Sequence, residues 1–187
     1  AGTVSSTFTM VASNPTRLRV LVPNETPVAG SNANGRAGTV AAVPAGSTMT
    51  ATVQITDSFW NLTPGASQQI RLTSSDPYAV ITPSTFTLVG SQLVDVVFRR
   101  AAFNTVRAEM LTVPAPWGPS VVTDTSTVIQ VTAGLPKNLL TLLPGESFDP
   151  GSPSGKAGTP VANTLAGLPL IVRVGIVDQF LNLVTGR

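Results

Sequence analysis

Polar and apolar positions alternate along most of this chain, and the alternation changes phase only at turns. From Thr48 to Thr56 the residues Met49, Ala51, Val53 and Ile55 form one face, and threonines and Gln54 form the other. That two-residue period predicts a strand with one buried face. Ser5–Ala12 alternates in the same way, with Phe8, Met10 and Ala12 on one side. Further strands are predicted over Leu18–Val22, Thr39–Val43, Gln69–Thr73, Ala79–Thr82, Thr85–Val89, Gln92–Arg99, Thr105–Val113 and Ser126–Ala133. Turn chemistry separates them: Asn14-Pro15, Pro23-Asn24, the Gly/Asn-rich stretch 29–35, Pro44-Ala-Gly46 and Pro64-Gly65. No segment sustains a 3.6-residue period, so essentially no helix is expected.

One stretch occurs twice. Thr48–Leu62 ends in Asp57-Ser-Phe59-Trp60-Asn61-Leu62, and Pro169–Leu183 ends in Asp178-Gln-Phe180-Leu181-Asn182-Leu183, each residue 121 positions after its counterpart. The match extends outward. Phe8, Met10, Ala12 and Pro15 fall on Ile129, Val131, Ala133 and Pro136, and Leu18, Glu25 and Gly30 fall on Leu139, Glu146 and Gly151. After a one-residue deletion, Gly35-Arg-Ala-Gly-Thr39 matches Gly155-Lys-Ala-Gly-Thr159. The inward face maps onto Leu170, Val172, Val174 and Ile176, so apolar positions stay apolar while the outward face varies. Copies that agree in this way share a fold. Residues 17–136 then form one complete repeat, 1–16 the last strand of a preceding repeat, and 137–187 the N-terminal part of a following one, as in a cut-out from a longer array.

The residues around these strands resemble the bacterial immunoglobulin-like tandem repeats of large extracellular surface proteins, of the invasin/intimin type. The similarity is carried by Thr52–Gly65, with its strand ending in Asp57-x-x-x-Asn61 before Pro64-Gly65, and by Ile70–Asp76. It continues in the unit boundary Ile129–Glu146 and in Gly155-Lys-Ala-Gly-Thr159-Pro160. The chain departs from the pattern in its apolar Phe59-Trp60 and Phe180-Leu181 tips and in the stretch 113–119. The resemblance implies an all-β fold of immunoglobulin-like β-sandwich repeats with Greek-key connections, at the cell surface or outside the cell. Short strands with closely spaced turn signals point to a sandwich independently.

Composition narrows the chemistry. Charged residues are 11% of the 187, the formal net charge is +2, and Cys and His are absent. Thiolate and imidazole chemistry and the common zinc ligands are thereby removed. Lys137 and Lys156 are the chain's lysines, so a Ser-Lys dyad would fall within a partial repeat, and an enzyme is not expected. No basic cluster offers a nucleic-acid footprint, and no stretch of 18 apolar residues offers a membrane span.

Each candidate site has a structural alternative. Asp57, Asn61, Asp178 and Asn182 are possible calcium ligands, but too few for the six to eight oxygens calcium takes; the alternative is a structural corner closed by Asx hydrogen bonds. Phe59 and Phe180 are expected to plug the end of the sandwich. Trp60 and its counterpart Leu181 are expected to make contacts between modules or subunits. Trp117, in a Pro-rich loop, either presents an aromatic or folds over the sandwich edge. Glu25 with Arg36, and Glu146 with Lys156, are expected to bridge a loop. Ile171 and Val177 would add apolar surface, covered by neighbouring repeats or other copies of the chain. No cofactor is expected. The leading expectation is a structural module of a fibre, sheath, surface layer or adhesin stalk; the alternative is an adhesin module contacting carbohydrate or host protein through loop aromatics.

Overall fold

A computed structural model describes residues 7–112, 122–162 and 165–185. All regular structure among them is strand. The strands are β1 (Arg17–Leu21), β2 (Glu25–Pro27), β3 (Arg36–Gly38), β4 (Val43–Pro44), β5 (Thr48–Thr56), β6 (Ser67–Ser74), β7 (Val80–Thr82), β8 (Thr85–Val89) and β9 (Ser91–Val97). They continue with β10 (Phe103–Asn104), β11 (Val106–Met110), β12 (Thr123–Thr125), β13 (Ile129–Thr132), β14 (Asn138–Leu142), β15 (Glu146–Phe148), β16 (Lys156–Gly158) and β17 (Arg173–Val177).

Two four-stranded sheets, β1-β5-β9-β7 and β12-β11-β6-β8, form a β-sandwich, and a strip β10-β13-β4 adds a third set of strands. The core follows from the two-residue period. Leu18 and Val20 of β1, the four apolar residues of β5, and Val94 and Val96 of β9 enter it from one sheet. Ile70, Leu72, Leu88, Val106, Ala108 and Met110 enter from the other. Ile129 and Val131 of β13 join the same cluster, with β13 antiparallel to β10 and parallel to β4.

Strand positions differ from expectation in three places. Residues 7–12 alternate but make no strand, and Phe8, Met10 and Val11 are exposed; Ser5 and Ser6 lie outside the described residues. The Thr39–Val43 strand is replaced by β3 before it, hairpinned to β2, and by β4 at its end. Of Ser126–Ala133 only β13 (Ile129–Thr132) is strand, because the backbone and side chain of Ser126 turn to Val106 of β11. The outward face of β5 is also not uniformly wet: Gln54 and Thr56 are buried beneath a further layer of loop.

The C-terminal strands repeat the N-terminal ones in register. Leu18 faces Ile55 across β1–β5, and Leu139 faces Ile176 across β14–β17. Glu25 faces Gly38 and Glu146 faces Gly158 in the two hairpins. Isolated bridges Thr56↔Leu62 and Val177↔Leu183 complete the match. Burial separates the copies. Leu139, Leu170, Val172, Val174 and Ile176 are exposed, whereas Leu18, Met49, Ala51, Val53 and Ile55 are buried. Ile171 is exposed as well, but Val177 is fully buried because the chain returns over it at Leu183. Val177 is therefore not part of an apolar surface.

An apolar sheet face of this extent binds dyes and other apolar surfaces. Replacing Val174 with Lys should cut anilinonaphthalene sulfonate fluorescence and leave the melting of the first sandwich unchanged. Val53→Lys, which buries an unpaired charge, should abolish that melting transition; equal effects of the two substitutions would contradict this assignment.

Candidate functional site

The tip after β5 is built by one carboxylate. Asp57 Oδ1 accepts the backbone N–H groups of Phe59 (2.8 Å) and Asn61 (2.9 Å), and Oδ2 accepts Ser13 N (3.0 Å) and Asn61 Nδ2 (2.9 Å). Asp178 repeats the set. Its Oδ1 accepts Phe180 N (2.8 Å) and Asn182 N (3.0 Å), and its Oδ2 accepts Gly134 N (2.7 Å) and Asn182 Nδ2 (2.9 Å). Such turns are what short Asp and Asn side chains favour. Both oxygens of each carboxylate are thereby committed to N–H donors. No group of three or more His, Cys, Asp or Glu side chains suited to a metal occurs among the described residues. Asp57, Asn61, Asp178 and Asn182 thus close their turns through these bonds. Burial alone would raise the Asp57 pKa; the bonds from Asn61, Ser13 and Phe59 outweigh it and hold the value down to about 2.

The turn forces a left-handed backbone at its fourth residue, with φ of 65° at Trp60 and 60° at Leu181. A side chain there costs about 1–2 kcal/mol, which local packing must offset. The Trp60 indole lies against Gly35, where a Cβ would come within 2.3 Å of the ring. Its Nε1 donates to Ala33 O (2.8 Å), and the Arg17 guanidinium stands 4.7 Å from the ring centroid. Beneath it Arg19, fully buried, donates to Gln54 Oε1 (3.0 and 2.6 Å), Gly35 O (2.8 Å) and Trp60 O (3.0 Å). Burial lowers the Arg19 pKa, with Arg36 adding to the effect and Asp124 opposing it.

In the second copy Leu140, Gly175 and Leu181 replace Arg19, Gln54 and Trp60. Leu140 and Leu181 close over Gly155, and Phe148 and Leu183 fill the space at Gly175. Among the described residues Trp60 and Leu181 thus pack against residues of their own copy of the motif and its flanking strands.

Contacts of the C-terminal strands with the first sandwich come from the residues on either side of Leu181. The Phe180 ring packs on the first sandwich's core over Gly46, where a Cβ would lie 2.1 Å from the ring. The Arg99 guanidinium is 5.9 Å from the same ring. Asn182 Oδ1 accepts Ala101 N (2.8 Å) and its Nδ2 donates to Arg99 O (2.8 Å). Gly151 lies directly against the Arg100 backbone, and Asp149 meets Arg100 (3.7 Å) and the Tyr78 hydroxyl (3.1 Å). Buried Asp76 holds this corner in place by accepting the N–H groups of Tyr78 (2.9 Å), Arg99 (2.7 Å) and Arg100 (2.9 Å). Phe180 therefore closes the neighbouring sandwich and not its own. Phe59 is 55% exposed and joins no core cluster among the described residues.

Sequence reading did not single out Asp76, Arg99, Arg100 or Asn182's outward amide as a joint. The available signal was Gly30/Gly151, a repeated turn glycine. Trp117 lies outside the described residues. Arg36 pairs with Asp124 (2.6 Å) and not with Glu25, because the β12 edge lies against β1 and places Asp124 beside both Arg36 and Val20 N. Burial pushes the Asp124 pKa up, against the pull of Arg36. Glu25 instead accepts Val22 N (2.9 Å) and the Thr127 hydroxyl. Glu146 and Lys156 do pair, at 3.2 Å.

Two outcomes test these assignments. Trp60→Ala removes a buried indole and should cost about 3–5 kcal/mol of unfolding free energy, read by urea denaturation, with Trp60→Leu costing less. Because the Asp57 pKa is depressed on folding, its contribution is present above the ordinary carboxylate value of about 4. It should be lost as pH falls from about 4 toward 2. Asp57→Asn should flatten that part of the stability–pH curve, and an unchanged curve would exclude the assignment.

No protein-family model matches this chain, and no curated protein matches it. Among solved structures, the crystal structure of domains 4 and 5 of the S-layer protein SbsC is similar over 64% of this chain, at 16% identity and a TM-score of 0.37. The chain spans about half (54%) of the length of that structure.

Proposed function

We propose that this chain is a structural module of a bacterial extracellular protein, in which immunoglobulin-like sandwiches with Greek-key connections follow one another and act by packing on their neighbours. In this reading 17–136 is a complete repeat, 1–16 ends a preceding one and 137–187 begins the next. It belongs in a fibre, sheath, surface layer or adhesin stalk at the cell surface, with neighbouring repeats and other copies of the chain as partners.

One observation carries the reading: the second repeat's tip is built into the first repeat through Phe180, Asn182 and Gly151. Two side-chain hydrogen bonds to backbone and an aromatic seated over a glycine constrain direction, which a flexible tether does not. The chemistry agrees with a mechanical role, since a chain without Cys or His lacks the usual nucleophile–base pairs. No helix among the described residues is long and apolar enough to cross a membrane. The adhesin alternative loses one of its two tryptophans, because Trp60 is buried in its own repeat.

Chains lengthened by one, two and three further repeats should show a maximum dimension by small-angle X-ray scattering that grows in equal steps. Growth closer to the square root of repeat number, as for flexible linkers, would reject the reading.

A further inference from the structure

The first sandwich carries a second copy of the inter-repeat seat, and among the described residues this copy is open. Phe59, Asn61 and Gly30 correspond to Phe180, Asn182 and Gly151, in turns closed by the same hydrogen bonds. Their surroundings differ. A Cβ at Gly151 would strike the Arg100 backbone at 2.8 Å, whereas nothing lies within 4 Å of a Cβ at Gly30. The Asn182 amide reaches Arg99 and Ala101 across the joint, whereas among the described residues the Asn61 amide meets Asp57 of its own turn. Met10, Gly30, Phe59 and Leu62 line an open cleft of about 720 Å³. Phe8 and Met10 beside it are exposed, while their counterparts Ile129 and Val131 are buried in β13.

We propose that this cleft is the docking seat for another sandwich of the same repeat. That sandwich would take residues 8–11 as its last strand, between its equivalents of β10 and β4. It would set its equivalent of the Arg99–Ala101 corner against Phe59, Gly30 and Asn61. The occupant is identified by the occupied copy of the seat within the chain. The two seats differ where Asp149, which meets Arg100 and Tyr78, is Val28 here, and where Gln179, which stands against Gly46, is Ser58. In a docked copy of this repeat the Arg100 position would face Val28 without a counterpart of the partly exposed Arg100–Asp149 pair, and such pairs contribute little. The proposal rests on the tandem-module reading and adds to it the residues of a specific joint.

The test uses the whole chain and an extended one, in which a copy of residues 17–128 precedes residues 8–187 so that Phe8 stands in the place of Ile129. In the extended chain, amides 8–12 and 59–62 should exchange hydrogen roughly tenfold or more slowly than in the chain itself. Phe59→Ala should lower the extended chain's melting midpoint by roughly 4–10 °C and the original chain's by about 1 °C or less. Equal effects in both chains, or unchanged exchange, would overturn the proposal. If the extended chain does not fold, the original chain still decides. There Phe180→Ala should destabilise several-fold more than Phe59→Ala, and equal, small losses would overturn the seat. An extended chain that scatters as a stiff rod with an unprotected Phe59 tip would sink the seat and leave the tandem reading standing.

Discussion

The carboxylate at the end of β5, and its twin at the end of β17, is the interaction on which the rest depends. Each gathers four N–H donors into one turn, two from the backbone just ahead, one from the Asn side chain, and one from the segment that leads into the repeat. That last donor matters most for architecture. Ser13 N and Gly134 N lie 44 residues upstream of the carboxylates they reach, so the bond fixes where the chain enters the repeat relative to where the strand leaves it. The direction of the incoming segment and the aim of the Phe-x-Asn tip are then set together. This makes the joint geometry a property of one side chain's coordination.

The same turn explains a coordinated difference between the copies. A left-handed residue at the tip must be anchored from outside the turn. The first copy uses an indole over Gly35 with a buried arginine beneath it. Arg19 has no carboxylate in direct contact there; three neutral acceptors satisfy it. Replacing Arg19 alone would leave Gln54 Oε1 and the Trp60 carbonyl without this donor in a buried layer, while the Gly35 carbonyl keeps Val28 N–H, at a cost of about 1–3 kcal/mol for each unsatisfied group. The second copy changes all three positions at once, to Leu140, Gly175 and Leu181, and fills the layer with Phe148 and Leu183. A buried polar network is exchanged whole or not at all.

Burial is distributed along the chain by what stands opposite each strand. β5 has its inward face covered by the opposing sheet and the end of its outward face, at Gln54 and Thr56, covered by the loop and tip. β17 repeats its sequence pattern and its pairing but keeps an exposed apolar face. The residues 8–11 share the apolar alternation of β13 and lack the two strands that hold β13 in place. Local pattern sets which residues are able to be inward; the presence of a facing layer sets whether they are.

The sequence by itself determined the all-β class, most strand positions, the inward set of β5 and the two-fold recurrence of the Asp-x-Phe-x-Asn corner. Each rests on a short-range regularity: a period of two, a turn residue, or a fixed offset. Tertiary structure alone decided where the corner's side chains go. Phe59 and Phe180 share a motif, yet one is open and the other closes a neighbour, because Gly46 and the Arg99–Ala101 corner lie opposite only Phe180 among the described residues. Trp60 reads as an exposed aromatic until Gly35 and Arg19 are seen beneath it. Arg36 reads as the partner of Glu25, ten or so residues away, and pairs instead with Asp124, 88 residues distant. Hydrogen bonds and packing follow proximity in space, and a strand pairing or a joint between repeats creates proximities that no local periodicity encodes.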